Sequence, residues 1–319
     1  MMFILYINDI SNDTTSSIRL FADDCLLYRV IGTDADAGEL QKDLNQLCRW
    51  ADRWSMAFNA EKCSVLTVTK KRLPLYFDYT IGGTSLEHVK HHPYLGVELA
   101  QDLGWGPHLA KVIPKAQRTL NLLRRNLYNC SVGTKDVAYR TMVRPVLEYA
   151  ACAWDPYHVE HIQKLEAVQR KAARFVTGQY QHDISVTKLM EELEWRSLQE
   201  RRLVARLAML KKIQHGQAAC EFPSQIQLVE PSVRASHPLQ FTAAYSRVDA
   251  YLYSFYPRTT RVWNILPLEA VQANDAATMK EMLNGFFRAG VMYVVPPKSQ
   301  ENRPRLGSSA KVVKVGPVY

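Results

Sequence analysis

The hydrophobic period of this chain changes near residue 101, and that change limits the folds open to it. Up to residue 100, short apolar runs alternate with turn residues; beyond Trp105, apolar residues recur every three or four positions. Alternation marks strands, and the three-to-four spacing marks helices. The chain is therefore expected to be α+β, with antiparallel strands and a packed helix first and a mostly helical part after them. The expected parts are 1–100, mixed α and β; 101–215, a helical bundle; 216–295, mainly helical; and 296–319, rich in Pro, Gly, Ser and Lys and expected to be a disordered tail.

Within the first part, Ile18–Val30 reads I-R-L-F-A-D-D-C-L-L-Y-R-V, two apolar runs around an Asp-Asp pair. That pattern fits a β-hairpin with both carboxylates at its tip. Thr33-Asp34 can cap a helix whose apolar stripe is Leu40, Leu44, Leu47, Ala51 and Trp54. Ser64–Thr69 reads as a strand, Leu75, Phe77, Tyr79 and Ile81 alternate up to a Gly82-Gly83 turn, and Tyr94–Leu99 reads as one more strand. Later, helices are expected over Leu109–Leu127, with Pro114 as a kink or late start, over Asp136–Tyr149 with a break at Pro145, over Ile162–Val176 and over Leu198–Ile213. Order resumes at Tyr251–Pro267 and in a helix near Ala276–Phe287.

Charge separates the parts. Forty Lys and Arg against 31 Asp and Glu leave a net +9. Residues 1–100 carry 10 basic and 13 acidic side chains, 101–220 carry 19 and 11, and 221–319 carry 11 and 7. A basic middle matches a polyanion partner, or equally a set of helices with solvated Lys/Arg faces. The six cysteines form no C-x-x-C pair, which points to reduced thiols rather than a disulfide framework or zinc site. No run approaches the roughly 20 apolar residues of a membrane span. Met1–Ile7 lacks the basic flank of a signal peptide. An intracellular protein, nuclear or cytoplasmic and without membrane contact, is expected; oligomeric state is left open.

Asp23-Asp24 is the sharpest chemical feature. Adjacent carboxylates on a hairpin tip suit divalent cations, although Asp-Asp is also a common turn dipeptide. Two further groups have loosely metal-like spacing: His88, His91 and His92, and Cys152, His158 and His161. Both lack a full ligand set and read as surface histidines. Arg258, Arg261 and Trp263 fit either base stacking or a packed tryptophan with surface arginines.

Tyr6–Ile10 (Y-I-N-D-I) followed by Leu20–Tyr28 (L-F-A-D-D-C-L-L-Y) resembles the catalytic palm of non-LTR (LINE-type) retrotransposon reverse transcriptases. Leu47, Trp50 and Trp54, then Asn59, Lys62 and Cys63, resemble the next palm motif, where the family usually has N-x-x-K-T. Tyr94-Leu95-Gly96-Val97 is similar to the family's Y-L-G-V segment near the primer end. Leu103, Trp105 and His108, and then Tyr139, Val143, Pro145, Leu147, Tyr149 and Trp154, resemble the thumb side. Ser254–Pro267 (S-F-Y-P-R-T-T-R-V-W-N-I-L-P) is similar to a segment near the end of many such reading frames.

The resemblance implies a partial palm, then a helical thumb and C-terminal region, from a family performing RNA-directed DNA synthesis by two-metal nucleotidyl transfer. It implies Mg²⁺ held by Asp23 and Asp24, Lys62 near the incoming triphosphate, and Tyr94, Leu95 and Gly96 against the primer. RNA template, DNA primer or their hybrid would lie along Lys164, Arg170, Lys171, Arg174, Arg201, Arg202 and Arg206, through salt-dependent phosphate contacts. The family's upstream strand with a further catalytic aspartate, its P-Q-G motif and its fingers do not occur here, so this polypeptide is expected to be inactive alone. The alternatives are a non-catalytic nucleic-acid-binding module and a co-opted helical interaction protein.

Overall fold

Two apolar runs separated by two residues close into the expected hairpin. Strand β1 (Ser17–Phe21) pairs antiparallel with β2 (Asp24–Ile31), Phe21 opposite Asp24, leaving Ala22-Asp23 as the loop. Ala22 takes φ +51°, the left-handed conformation that lets a two-residue loop follow the twist of its strands. For a residue with a Cβ that conformation costs about 1–2 kcal/mol. The computed structural model describes residues 7–72, 75–181, 183–229, 237–242, 246, 248–290 and the backbone of Ser309–Val315. It divides into two units, Met1–Pro107 with Arg305–Tyr319, and His108–Pro304.

In the first unit, helix α1 (Asp34–Arg53) begins at a capping box, the Thr33 hydroxyl accepting from the Asp36 amide while Asp36 accepts from the Thr33 amide. Its buried residues Leu40, Leu44, Leu47, Trp50 and Ala51 pack on Cys25, Leu27 and Ile31 of β2 and Val65 of β3 (Ser64–Val68). The stripe stops one turn earlier than its spacing predicts. Trp54 is the C-cap and 38% exposed, while Trp50 is buried and donates its indole N–H to Asp9 at 2.7 Å. Asp43 is a buried acid on the same helix. It accepts the amides of Thr15 and Ser16 at 3.0 and 2.8 Å and so fastens α1 to the start of β1.

Gly82-Gly83, with φ of +56° and +79°, joins β4 (Thr80–Ile81) to β5 (Thr84–Ser85), as expected of a turn that needs two left-handed residues. Strand β6 (Glu87–Val89) follows. The single strand expected over Tyr94–Leu99 is instead a hairpin, β7 (His91–Tyr94) and β8 (Val97–Ala100). Leu95 and Gly96 have φ of +48° and +81°, so the chain reverses between them.

The main sheet has the order β1-β2-β9-β3-β6, where β9 is Ser309–Val315. It runs antiparallel to both β2 and β3. Hence β2 and β3 are parallel, joined by α1, and held one strand apart in a split β-α-β unit. The gap presents a row of N–H and C=O groups on each side that need partners, and β9 supplies them. Part of the stretch expected to be a disordered tail is thus a central strand; the remainder of 296–319 lies outside the described residues.

The second unit is helical. It is built from α2 (Gly106–Asn126), α3 (Val132–Ala138), α4 (Arg144–Glu148), α5 (Val159–Thr177), α6 (Val186–Glu192), α7 (Leu198–Gln214), α8 (Asp249–Leu252), α9 (Phe255–Trp263), α10 (Leu268–Val271) and α11 (Ala276–Arg288). Pro114 lies inside α2. The break expected at Pro145 begins earlier, because a proline offers no N–H to the carbonyl four residues back; the chain widens into a π-helical turn over Tyr139–Val143. Helix α7 buries Arg202, Leu203, Val204, Arg206, Leu207, Ala208, Leu210 and Lys211, an arc far wider than one stripe although Lys212 stays exposed, which marks an inner helix. Its leucines pack on Trp263, Leu266, Met279 and Leu283. Among the described residues no helix is long and apolar enough to cross a membrane.

The dependence of β2 and β3 on β9 is open to test. Val312→Pro removes a ladder N–H from the middle of β9. Hydrogen exchange should quicken within Leu27–Arg29 and Val65–Thr67, the segments opposite its centre, at the amides that donate to β9. Acceleration confined to 309–315 would show that the two strands hold without it.

Candidate functional site

The hairpin forms where the pattern puts it, with its loop one residue earlier than the expected Asp23-Asp24 tip. Asp23 is exposed in the loop and Asp24, the first residue of β2, is half-buried. Behind them, burial, reinforced by the neighbouring Cys63 and the charge of Asp24, pushes the Cys25 thiol up to about 12, so it is an inert core thiol. Tyr94 stands beside the same tip. Burial raises its hydroxyl pKa first, and the charge of Asp24 adds to it. The hydroxyl therefore stays protonated and remains a donor next to the acids.

Strand register gathers a further candidate. Leu26 of β2 and Ser64 of β3 oppose the same residue of β9, Lys314, so both strands start at one edge of the sheet. Asp24 precedes Leu26, and Lys62 precedes Ser64 in an exposed turn over Ala60–Lys62. The acids, the lysine and the Tyr94 hairpin are thus brought to one region, with Leu95 and Gly96 at the turn of that hairpin. Asp23 and Asp24 supply hard oxygen ligands of the kind Mg²⁺ takes alongside phosphate and water. Among the described residues, no group of three or more His, Cys, Asp or Glu side chains could hold a metal ion. Two carboxylates fit one divalent cation and do not by themselves fit two.

The histidines are engaged separately: His88 with the Phe77 carbonyl at 3.0 Å, His91 with Glu98 at 3.4 Å, His92 with the Ser64 hydroxyl at 3.0 Å. Cys152 lies 3.4 Å from the Ala205 carbonyl rather than with His158 and His161.

In the helical unit the predicted basic face breaks up. Lys164, Arg170 and Lys171 are exposed on α5, Lys164 pairing with Glu160. Arg174 is half-buried and donates to the Gln181 carbonyl at 2.9 Å. Arg201 pairs with Glu148, its Nη2 2.9 Å from Oε2. Arg202 and Arg206 are buried, and both contact Asp155, at 2.9 and 3.0 Å. Both are turned inward onto that carboxylate rather than out along the surface of α7, where Lys212 is exposed. Burial lowers the Arg206 guanidinium to about 10 despite the carboxylate beside it. Arg258 also reaches Asp155, at 3.0 Å, and Trp263 is fully buried, so that motif is packing rather than a stacking platform.

A different basic surface lies on α2. Arg118, Asn121, Arg124, Arg125, Tyr128 and Tyr180 line an open concavity of about 860 Å³. Arg124 lies over the Tyr180 ring at 5.9 Å, and Tyr128 and Tyr180 are 75% and 50% exposed. The signal was present in the sequence: α2 carries Lys111, Lys115, Arg118, Arg124 and Arg125 and no acidic residue. Cationic side chains beside exposed aromatic rings suit a nucleic-acid strand, phosphates on the arginines and bases on the rings.

About half of the chain is similar to RNA-directed DNA polymerases of mobile elements. It is 26% identical over 190 residues to the RNA-directed DNA polymerase from mobile element jockey of Drosophila melanogaster, covering 56% of this chain and 20% of that protein. The jockey polymerase of Drosophila funebris is 30% identical over 172 residues, covering 50% and 18%. The probable RNA-directed DNA polymerase from transposon X-element of Drosophila melanogaster is 26% identical over 177 residues, covering 53% and 19%. The chain spans about a fifth of the length of these relatives. No family model and no solved structure matches it.

The arginine cluster yields its own prediction. Asp155→Ala leaves Arg202, Arg206 and Arg258 without their shared carboxylate and should cost about 3–5 kcal/mol in urea unfolding. Lys171→Ala, an exposed change, should stay within about 0.5 kcal/mol.

Proposed function

We propose that this chain is part of a retrotransposon RNA-directed DNA polymerase, its first unit forming the second half of a palm and its helical unit the thumb and C-terminal region. The observation that carries the reading is the likeness of half the chain to mobile-element polymerases. The acid pair at a hairpin tip, beside the half-buried Tyr94, supports it.

In this reading Asp23 and Asp24 hold Mg²⁺, which when bound offsets charge on phosphate oxygens. Tyr94, with Leu95 and Gly96 beneath it, positions the primer end as a hydrogen-bond donor. Lys62 places its ammonium at the same sheet edge for the triphosphate. The polypeptide alone is not expected to polymerise, because its described carboxylates do not complete a two-cation site. The basic α2 surface favours a second reading, in which the chain binds nucleic acid without catalysis. RNA template, DNA primer and their hybrid are the ligands in both.

Primer extension on an RNA template separates the two. No synthesis is expected from the purified chain; Mg²⁺-dependent synthesis abolished by Asp23→Ala would make it an active polymerase. Cation binding is tested with Mn²⁺, which should broaden the amide resonances of Ala22–Cys25 and lose that effect in the Asp23→Asn, Asp24→Asn double variant. For the nucleic-acid surface, Arg124→Ala with Arg125→Ala should weaken binding to an RNA–DNA hybrid at every sequence. The slope of log affinity against log salt should fall by about 2. An unchanged slope would remove α2 from the interface.

A further inference from the structure

A cavity of about 320 Å³ in the helical unit is lined by Arg196, Arg201, Arg202 and Lys280, with Glu148 the one carboxylate among them and Asn284 on the wall. Glu148 is already committed. It holds Arg201, with Nη2 at 2.9 Å, and lies 3.7 Å from Arg144. Arg202 spends its Nε on Asp155 at 2.9 Å, and that carboxylate is shared with Arg206 and Arg258, each at 3.0 Å. Glu200 also acts on Arg196 and Glu166 on Arg202, yet the lining itself sets four cations against one carboxylate.

The donors show the same imbalance. Arg202 is 0% exposed, yet its Nη1 and Nη2 are both buried with no hydrogen-bond partner. Nη1 of Arg196 is in the same state. A guanidinium carries five N–H donors, and leaving buried ones unmade is costly, so such groups call for an explanation. A smaller cavity of about 180 Å³ shares Arg196, Arg201 and Asn284 and adds Arg144, together with Arg140 and Arg288, which are paired with Asp136 and Glu194. Burial first, and then the charge of Arg201, lowers the proton affinity of Arg144 and Arg196. An anion among these groups relieves both the crowding and the empty donors.

We propose that this cavity binds a phosphate group, as inorganic phosphate or a phosphomonoester, held by the guanidinium groups of Arg196, Arg201 and Arg202 with Lys280 at its exposed mouth. The planar forks of arginine match two phosphate oxygens at once, which a chloride ion or a water cannot reproduce. The volume lies at the small end of the range for small-molecule sites, roughly 300–1,000 Å³, and so admits a phosphate with a sugar attached. This site is built from residues other than those of the acidic hairpin and the α2 surface, and stands independently of the polymerase reading.

The test uses the full chain at constant ionic strength, with chloride as the reference. Titration with inorganic phosphate, followed by ³¹P NMR and thermal unfolding, should saturate, and Tm should rise by roughly 5–10 °C at a hundredfold excess over Kd. Arg202 is embedded in the ion cluster, and its removal is a hazard to folding. The variant of choice is therefore Arg196→Gln with Lys280→Gln, expected to raise Kd at least tenfold. A nucleoside 5′-monophosphate, and an oligonucleotide with and without a 5′-phosphate, identify the source. Preference for the phosphorylated end assigns the site to a strand terminus, and equal binding of monophosphate and inorganic phosphate assigns it to a free ligand. Either result supports the site. Absence of saturation against chloride, or an unchanged Kd in the double variant, overturns it.

Discussion

Strands β2 and β3 run parallel with one strand's width between them, and the organisation of the first unit follows from that spacing. Helix α1 joins the two strands, so its apolar stripe must cover one face of the sheet, and Leu40, Leu44 and Leu47 do so completely buried. Backbone polar groups facing an empty slot would be stranded at the centre of the sheet. β9 fills the slot with ladders to both neighbours. Because β2 and β3 begin at the same edge, the residues just before them, Asp23-Asp24 and Lys62, share a neighbourhood despite their separation in sequence. Their meeting there is a by-product of register.

The helical unit is governed by a different constraint, charge inside a centre. Helix α7 is enclosed over most of its circumference, and three of its cations come in with it: Arg202, Arg206 and Lys211. Each needs a specific partner there. Asp155 serves two of them together with Arg258, and the Val271 carbonyl takes the Lys211 ammonium at 2.7 Å. Much of the basic excess of this region is therefore internal structure. Charge available to a polyanion is concentrated instead on α2, where no acidic residue dilutes it, and on the exposed lysines and arginine of α5.

Features set by neighbours in sequence were legible beforehand. The helix cap at Thr33, the Gly82-Gly83 turn and the hairpin over Ile18–Val30 each depend on residues close together in sequence. The cap and the glycine turn stand where the pattern predicts, and the hairpin closes one residue early, at Ala22-Asp23. Trp54 failed because a period shows which face a helix buries and does not show where the helix stops. The Leu95-Gly96 turn was hidden because leucine is an unusual choice for a left-handed residue, so Tyr94–Leu99 looked continuous. β9 was hidden most fully. A short strand in a Pro, Gly, Ser and Lys-rich stretch has no local reason to form; its partners lie in another part of the chain.

From its residues alone, this chain determined its α+β class, the change to helix beyond Trp105, the acid pair at the end of a ribbon and its likeness to the polymerases of mobile elements. These rest on local period, turn chemistry and motif order. Tertiary structure decided which strand lies between β2 and β3, which arginines face solvent and which face Asp155, and that Arg196, Arg201 and Arg202 meet around one cavity. Burial and pairing join residues far apart in the chain, and no local pattern records which of two like-charged side chains will be turned inward.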